Sequence, residues 1–243
     1  MQLKDKVCLV TGSSRGIGKA IALALAHEGA RVAVTYHTQE SEAMETLNEI
    51  SQCSLIQVDV SNEEAVARMI RETVKTFGTI DILINNAGIH RDSISWKMDK
   101  EIWKEVLATN LTGPFLCTKH VLPVMREKGW GRIINISSVI GEIGLAGASN
   151  YAASKSGLVG FTKAVAREVA DKHITVNCVS YGYMNAGMNL RLPEENRQKA
   201  LQNIPLKRFG TLEEATGPVV FLCTDAASYI TGQTIHVNGG YYL

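Results

Sequence analysis

Residues Val7–Gly29 read VCLVTGSSRGIGKAIALALAHEG. An apolar run ends in a turn with glycines at positions 12, 16 and 18, and the turn opens into a helix of Ala, Ile and Leu that Gly29 follows. The spacing is G-x-x-x-G-x-G. A strand that must turn sharply into a helix needs residues without Cβ. The same freedom lets a phosphate reach backbone N–H groups at the positive end of the helix. A tight strand-to-helix turn with no ligand has the same appearance. Its place as the first turn of the chain, on a strand predicted to be central, favours cofactor binding. Gly12, Ser14, Arg15, Gly16, Ile17 and Gly18 are therefore candidate cofactor contacts.

Further apolar runs follow at 31–36, 54–60, 81–87, 132–137, 174–180 and 234–237. Most lack polar alternation and are rich in Val and Ile, as strands covered on both faces are. Helical patterns separate them. Ser61-Asn62-Glu63-Glu64 and Thr211-Leu212-Glu213-Glu214 read as capping boxes, and Gly78 as the stop of the first of those helices. No Pro/Gly/Ser-rich linker or repeat interrupts the pattern. The expectation is a single α/β domain over residues 1–243: one doubly wound parallel sheet of about seven strands with helices on both faces.

Of the 243 residues, 45% are hydrophobic and 20% charged, and the net charge is +1 with Lys and Arg scattered. That distribution argues against nucleic-acid or membrane-surface partners. Cys8, Cys53, Cys117, Cys178 and Cys223 lie far apart, and none forms C-x-x-C. They read as free thiols in a reducing compartment, with no disulfide framework and no metal site. No apolar run reaches spanning length, and the first residues show no apolar signal region. A cytoplasmic protein is expected.

NAD-binding sheets often carry an acid about 20 residues past the glycines to take the ribose 2′-hydroxyl. Here Thr35, Tyr36 and His37 occupy that region, with no acid before Glu40. Arg15 lies inside the turn, where it can meet a 2′-phosphate. The combination points to NADP rather than NAD. Asp59-Val60, at the end of the third run, can present a carboxylate at the adenine edge or form a turn before the next helix. Asn86-Ala87-Gly88 ends the fourth run, on the rim where ligands bind in doubly wound sheets.

Ser138 ends the fifth run on that same rim, and Tyr151 and Lys155 follow within a helical pattern. Residues i and i+4 share a helix face. A free phenol has a pKa of about 10, so it is a poor acid or base near neutrality. A neighbouring ammonium favours the phenolate and lowers that value. A surface Tyr lying on a Lys stem is the plainer reading of the pair alone.

Taken together, T-G-x-x-x-G-I-G, N-N-A-G, Asn110 in ATNLTGPF, Ser138 and Y-x-x-x-K resemble the short-chain dehydrogenase/reductases in order and spacing, from Val7 to Gly240. The resemblance implies a Rossmann-like sheet, a nicotinamide cofactor, a homotetramer and a catalytic tetrad of Asn110, Ser138, Tyr151 and Lys155. On that pattern Tyr151 is the general acid in reduction and Ser138 polarises the carbonyl. Lys155 holds the nicotinamide ribose and lowers the Tyr151 pKa, and Asn110 supports a water leading from Lys155 to solvent.

The segment AGIHRDSISWKM and the ending ASYITGQTIHVNGG resemble the branch of that family that reduces 3-oxoacyl thioesters on acyl carrier protein or CoA, with NADPH. Lys128 and Lys172 stand near positions that dock an acidic carrier in that branch, and both also read as solvated lysines. Arg91 and Asp92 can form an ion pair beside the site. The chain departs from the family after the sixth run, where Tyr181 precedes Gly182 in place of Pro and Ala186 stands in place of Thr. The family places this loop against the nicotinamide, so Gly182 is a candidate cofactor contact and Tyr181 is expected to add bulk near the site. Tyr183 reads as a substrate contact or as loop packing. Two other readings stand: a dehydrogenase of another alcohol or ketone, such as a sugar or cyclic ketone, and a non-catalytic NADP-binding subunit.

Overall fold

The computed structural model describes residues 1–187, 190 and 192–243. Its strands are β1 (Val7–Val10), β2 (Arg31–Tyr36), β3 (Cys53–Gln57), β4 (Ile82–Asn85), β5 (Gly131–Ser138), β6 (Ile174–Tyr181) and β7 (Thr234–Val237). They join one sheet in the order β3-β2-β1-β4-β5-β6-β7, every pairing parallel. The helices are α1 (Gly16–His27), α2 (Glu40–Asn48), α3 (Glu63–Phe77), α4 (Lys100–Leu107), α5 (Gly113–Lys128), α6 (Ile140–Ile143), α7 (Ser149–Val169), α8 (Glu194–Asn203) and α9 (Leu212–Cys223).

The unbroken apolar runs are explained by what covers the two faces. Cys8, Val10, Val32, Val34, Ile82, Ile84, Ile134 and Ile136 pack with Ile21 and Leu25 of α1 and Val219 and Leu222 of α9. Their alternates Leu9, Ala33, Leu83 and Ile133 pack with Met69 of α3, Val121 and Met125 of α5 and Val169 of α7. Each strand residue points to one face or the other, and both faces are dry.

Strand ends depart from the apolar runs in both directions. β3 stops at Gln57, because Asp59 folds its carboxylate back onto Ser61. β5 and β6 are longer than their runs, since they stay in register from Gly131↔Ile174 to Ser138↔Tyr181. The expected cap at Ser61 is corrected: Asn62 caps α3, its Oδ1 accepting from Ala65 N at 2.9 Å. Ser61 Oγ instead donates to Asp59 Oδ1 at 2.7 Å. Gly78 ends α3 at φ 86°, as expected, and Thr211 and Glu214 form the reciprocal box that starts α9. All five cysteines are free. Burial holds the Cys117, Cys178 and Cys223 thiols up at about 12, which makes them poor nucleophiles. Among the described residues, no helix is long and apolar enough to cross a membrane, and no cluster of metal-ligating side chains occurs.

Tyr181 is the other correction. It is 4% exposed and packs in the core between the sheet and α9, where its hydroxyl donates to the Ala215 carbonyl at 2.6 Å. Its bulk therefore ties β6 to α9, not into a pocket at the sheet rim. Ala186 is also buried in that core, where a Thr hydroxyl would need a partner. Tyr181→Phe is expected to cost about 1–2 kcal/mol by leaving the Ala215 carbonyl short of a donor. For a chain of this size that lowers the thermal midpoint by roughly 2–8 °C, measurable by calorimetry with an unchanged circular-dichroism spectrum.

Candidate active site

The strand order reverses between β1 and β4, which leaves a crevice beyond their carboxyl ends. There the chain is cross-braced. Thr11 Oγ1 accepts from Asn86 N at 2.9 Å and from Ala87 N at 3.1 Å. Asn86 Nδ2 donates to the carbonyls of Thr11 at 2.9 Å and Gly12 at 3.0 Å. The approach is so close that a Cβ on Gly12 would lie 2.9 Å from Ala87 Cα, and one on Gly18 would lie 2.3 Å from the Gly12 carbonyl oxygen. On the other side, Thr35 Oγ1 accepts from Gly12 N at 3.0 Å and Thr35 N donates to Ser13 Oγ at 2.9 Å.

Held this way, α1 starts at Gly16 with no side-chain cap and no acid in its first turn. Among the described residues its first N–H groups have no side-chain partner, the condition an anion needs at a helix N-terminus. These features fit a dinucleotide pyrophosphate. Ser14 is buried and its carbonyl accepts from Thr46 Oγ1 of α2 at 3.2 Å, while Ile17 packs on the α1 face of the core. Arg15 is half exposed, and its Nη1 lies 3.5 Å from Glu42 Oε1. Glu42 escaped the sequence reading because it lies on α2 and not at the end of β2. Asp59 takes the turn alternative, bonded to Ser61, and Val60 is buried against Gly113.

On the other side of β4, α7 is strapped to β5. Ser137 Oγ donates to the Lys155 carbonyl at 3.1 Å, and Lys155 Nζ donates to the Ile136 carbonyl at 2.7 Å. The small residues of α7 serve close packing: a Cβ on Gly141 of α6 would lie 2.9 Å from the Lys155 backbone, and Gly157 faces Leu111. Ser138 is near enough to Tyr151 to favour its phenolate, and Lys155 Nζ lies 5.6 Å from the Tyr151 ring centroid. Asn110 sits in a single π-turn, Ala108–Thr112, between α4 and α5. Such widened turns recur at functional sites. The Asn110 amide clasps Ile89, accepting from its N–H at 2.8 Å and donating to its carbonyl at 2.9 Å, and it also reaches Ser154 Oγ at 3.3 Å. Gly88 lies between them: a Cβ there would be 3.3 Å from Asn110 Oδ1 and 3.7 Å from Lys155 Nζ. The fold thus gathers Asn110, Ser138, Tyr151 and Lys155 around one rim.

Burial pushes the Tyr151 phenol above its ordinary range, and Ser138 only partly offsets it. The lowering expected from Lys155 is therefore not the outcome, because the ammonium is turned to the Ile136 carbonyl. Burial in turn lowers Lys155 to about 8. At neutral pH Tyr151 carries its proton, the state of a general acid.

Of the remaining expected residues, Gly182 directly follows Tyr181, the register partner of Ser138. Gly182 leaves room for Asn238, whose Cα would be 2.8 Å from a Cβ at that position. Tyr183 stacks on Phe209, with centroids 5.2 Å apart, and meets Tyr241 edge-on, the packing alternative. Arg91 and Asp92 do not pair with each other: Arg91 pairs with Glu105 and Asp92 with His90. Lys128 pairs with buried Asp81, and Lys172 with Asp171. His90, which the sequence reading passed over, meets the Tyr151 ring edge-on at 4.5 Å.

Comparisons with known proteins follow the same line. A family model described as enoyl-(acyl carrier protein) reductase matches residues 12–242. The 3-oxoacyl-[acyl-carrier-protein] reductase FabG of Staphylococcus epidermidis is 44% identical over 98% of this chain and 100% of its own. That of Vibrio cholerae is 45% identical over the full length of both chains. That of Aquifex aeolicus is 44% identical over 100% of this chain and 99% of its own. A solved structure from Sinorhizobium meliloti, described as a candidate short-chain alcohol dehydrogenase, superposes with a TM-score of 0.95 at 40% identity, covering 99% of this chain and 97% of that one.

The buried ammonium has a stability consequence. The folded chain gives up the Lys155 proton at about 8, below the ordinary 10.5, so the charge costs stability in full below pH 8. Stability rises as pH passes from that value toward 10.5, where the unfolded chain holds more protons. Lys155→Met is expected to stabilise the fold by about 1–3 kcal/mol at neutral pH, an advantage that shrinks in alkali. Urea unfolding at two pH values checks it.

Proposed function

This chain belongs to the short-chain dehydrogenase/reductase family, and we propose that it reduces the ketone of a 3-oxoacyl thioester, carried on acyl carrier protein or CoA, to the 3-hydroxyacyl thioester with NADPH. The observation that carries this reading is the gathering of Ser138, Tyr151 and Asn110 at one rim beside the buried Lys155 ammonium, whose Nζ lies 5.6 Å from the Tyr151 ring centroid. Two donors converging on one oxygen suit a carbonyl, where negative charge gathers in the transition state. The substrate class is supported by the full-length FabG relatives, which are 3-oxoacyl-[acyl-carrier-protein] reductases.

A nicotinamide cofactor supplies the hydride when bound. Ser138 donates to the carbonyl oxygen and orients it. Tyr151 transfers its phenolic proton to that oxygen as the new C–H bond forms. Lys155 stabilises the resulting phenolate and holds the nicotinamide ribose, and Asn110 fixes the Ile89 loop beside a solvent route that returns the proton. Backbone groups of Gly12, Ser14, Gly16, Ile17 and Gly18 would hold the pyrophosphate, and Arg15 would meet the 2′-phosphate. With the Asp59 carboxylate held by Ser61, Asp59 and Val60 would border the adenine through their backbone, and Asn86, Ala87 and Gly88 would line the cofactor cleft. A homotetramer is the assembly this reading carries with it.

NADPH consumption should occur with acetoacetyl-acyl carrier protein and acetoacetyl-CoA, and not with crotonoyl thioesters or simple ketones. Tyr151→Phe should lower kcat at least about 100-fold. Turnover confined to sugars or cyclic ketones, or NADPH binding without any turnover, would reject the proposal. A second test is the pH dependence of NADPH affinity. Lys155 is charged below about 8 and neutral above it. NADPH binding, followed by fluorescence, should be level below that pH and weaken several-fold above it. In Lys155→Met it should be level throughout.

A further inference from the structure

We propose that Glu42 is a cofactor-specificity residue: by holding Arg15 and offering a second carboxylate oxygen to an unphosphorylated ribose, it lets the site take NADH on terms close to NADPH. The inference rests on the reading of Arg15 as the partner of a 2′-phosphate.

Glu42 divides its carboxylate between two environments. Oε1 lies 3.5 Å from Arg15 Nη1, the ion pair at the mouth of the glycine turn. Oε2 is shielded from solvent and has no hydrogen-bond partner among the described residues. A shielded carboxylate oxygen without a donor is a cost to the fold, and it is relieved when a donor arrives. The position is fixed from below. Thr46 Oγ1 donates both to the Glu42 carbonyl and to the Ser14 carbonyl at 3.2 Å, so α2 is tied to the glycine turn at this point.

The end of β2 supplies no competing acid. Thr35 is turned inward to Gly12 and Ser13, and the His37 carbonyl is taken by Gln57. Glu42 is thus the carboxylate beside Arg15. A ribose 2′-hydroxyl is a donor that the Glu42 carboxylate can accept by rotating Oε2 out of its shielded position, since the side chain is 39% exposed. A 2′-phosphate has only acceptor oxygens and negative charge, so it meets repulsion from Glu42 and must also draw Arg15 away from it.

Fluorescence titration of the wild type, Glu42→Gln, Glu42→Ala and Arg15→Ala with NADPH and with NADH tests the idea. The wild type should prefer NADPH by less than about tenfold. Glu42→Gln should tighten NADPH by about twofold to fivefold, the range of an exposed ion pair, and weaken NADH by a similar factor. Glu42→Ala should move both in the same directions. Arg15→Ala should weaken NADPH by about tenfold and leave NADH unchanged. If Arg15→Ala weakens NADPH while both Glu42 variants leave the NADPH-to-NADH ratio within twofold, this inference fails and the reading of Arg15 survives. If Arg15→Ala leaves NADPH affinity unchanged, the reading of Arg15 fails and this inference with it.

Discussion

The approach of the β1 turn to the end of β4 is the constraint on which the rest of the molecule depends. Asn86 spends its amide on the Thr11 and Gly12 carbonyls, and Thr11 spends its hydroxyl on the Asn86 and Ala87 N–H groups. This clasp closes the point where the strand order reverses and forces the two glycines whose Cβ positions are already filled. It also sets the axis of α1, and so the direction in which the uncapped N–H groups face. A crevice beyond parallel strands is general to this architecture. Here its floor is built from side-chain amide and hydroxyl groups with little room for alternatives.

A second clasp holds α7 on β5 through Ser137, Lys155 and Ile136. It leaves an ammonium 4% exposed, against one carbonyl. Burying a charge with so little compensation costs stability. The cost is concentrated on the helix that carries Tyr151. Burial holds the phenol above its ordinary range. The site is therefore set for proton donation first.

Much of this was legible in the sequence. Seven apolar runs became seven strands because both faces of a parallel sheet are covered, and that leaves a signal in composition alone. The glycine turn, the caps at Thr211 and Gly78, and Ser138, Tyr151 and Lys155 at the rim were read from spacing, and Asn110 from the family resemblance. What was not legible depends on where side chains go once elements pack. Tyr181 was read against a loop and lies in the core, because β6 runs on in register with β5 to that residue. Arg91 and Asp92 are adjacent in sequence, yet Arg91 turns to Glu105 on α4 and Asp92 to His90 on its own loop. Glu42 and His90 carried no spacing signal at all.

The sequence by itself determined the sheet, its parallel sense, the glycine turn and the residue types at the rim, because periodicity and the absence of Cβ act locally. Only the tertiary structure decided the partners: Lys155 with Ile136, Arg15 with Glu42, Tyr181 with Ala215, His90 with Tyr151. Hydrogen bonds, ion pairs and ring contacts depend on distances of a few ångströms between segments far apart in the chain, and those distances exist only after the two helical layers have closed on the sheet.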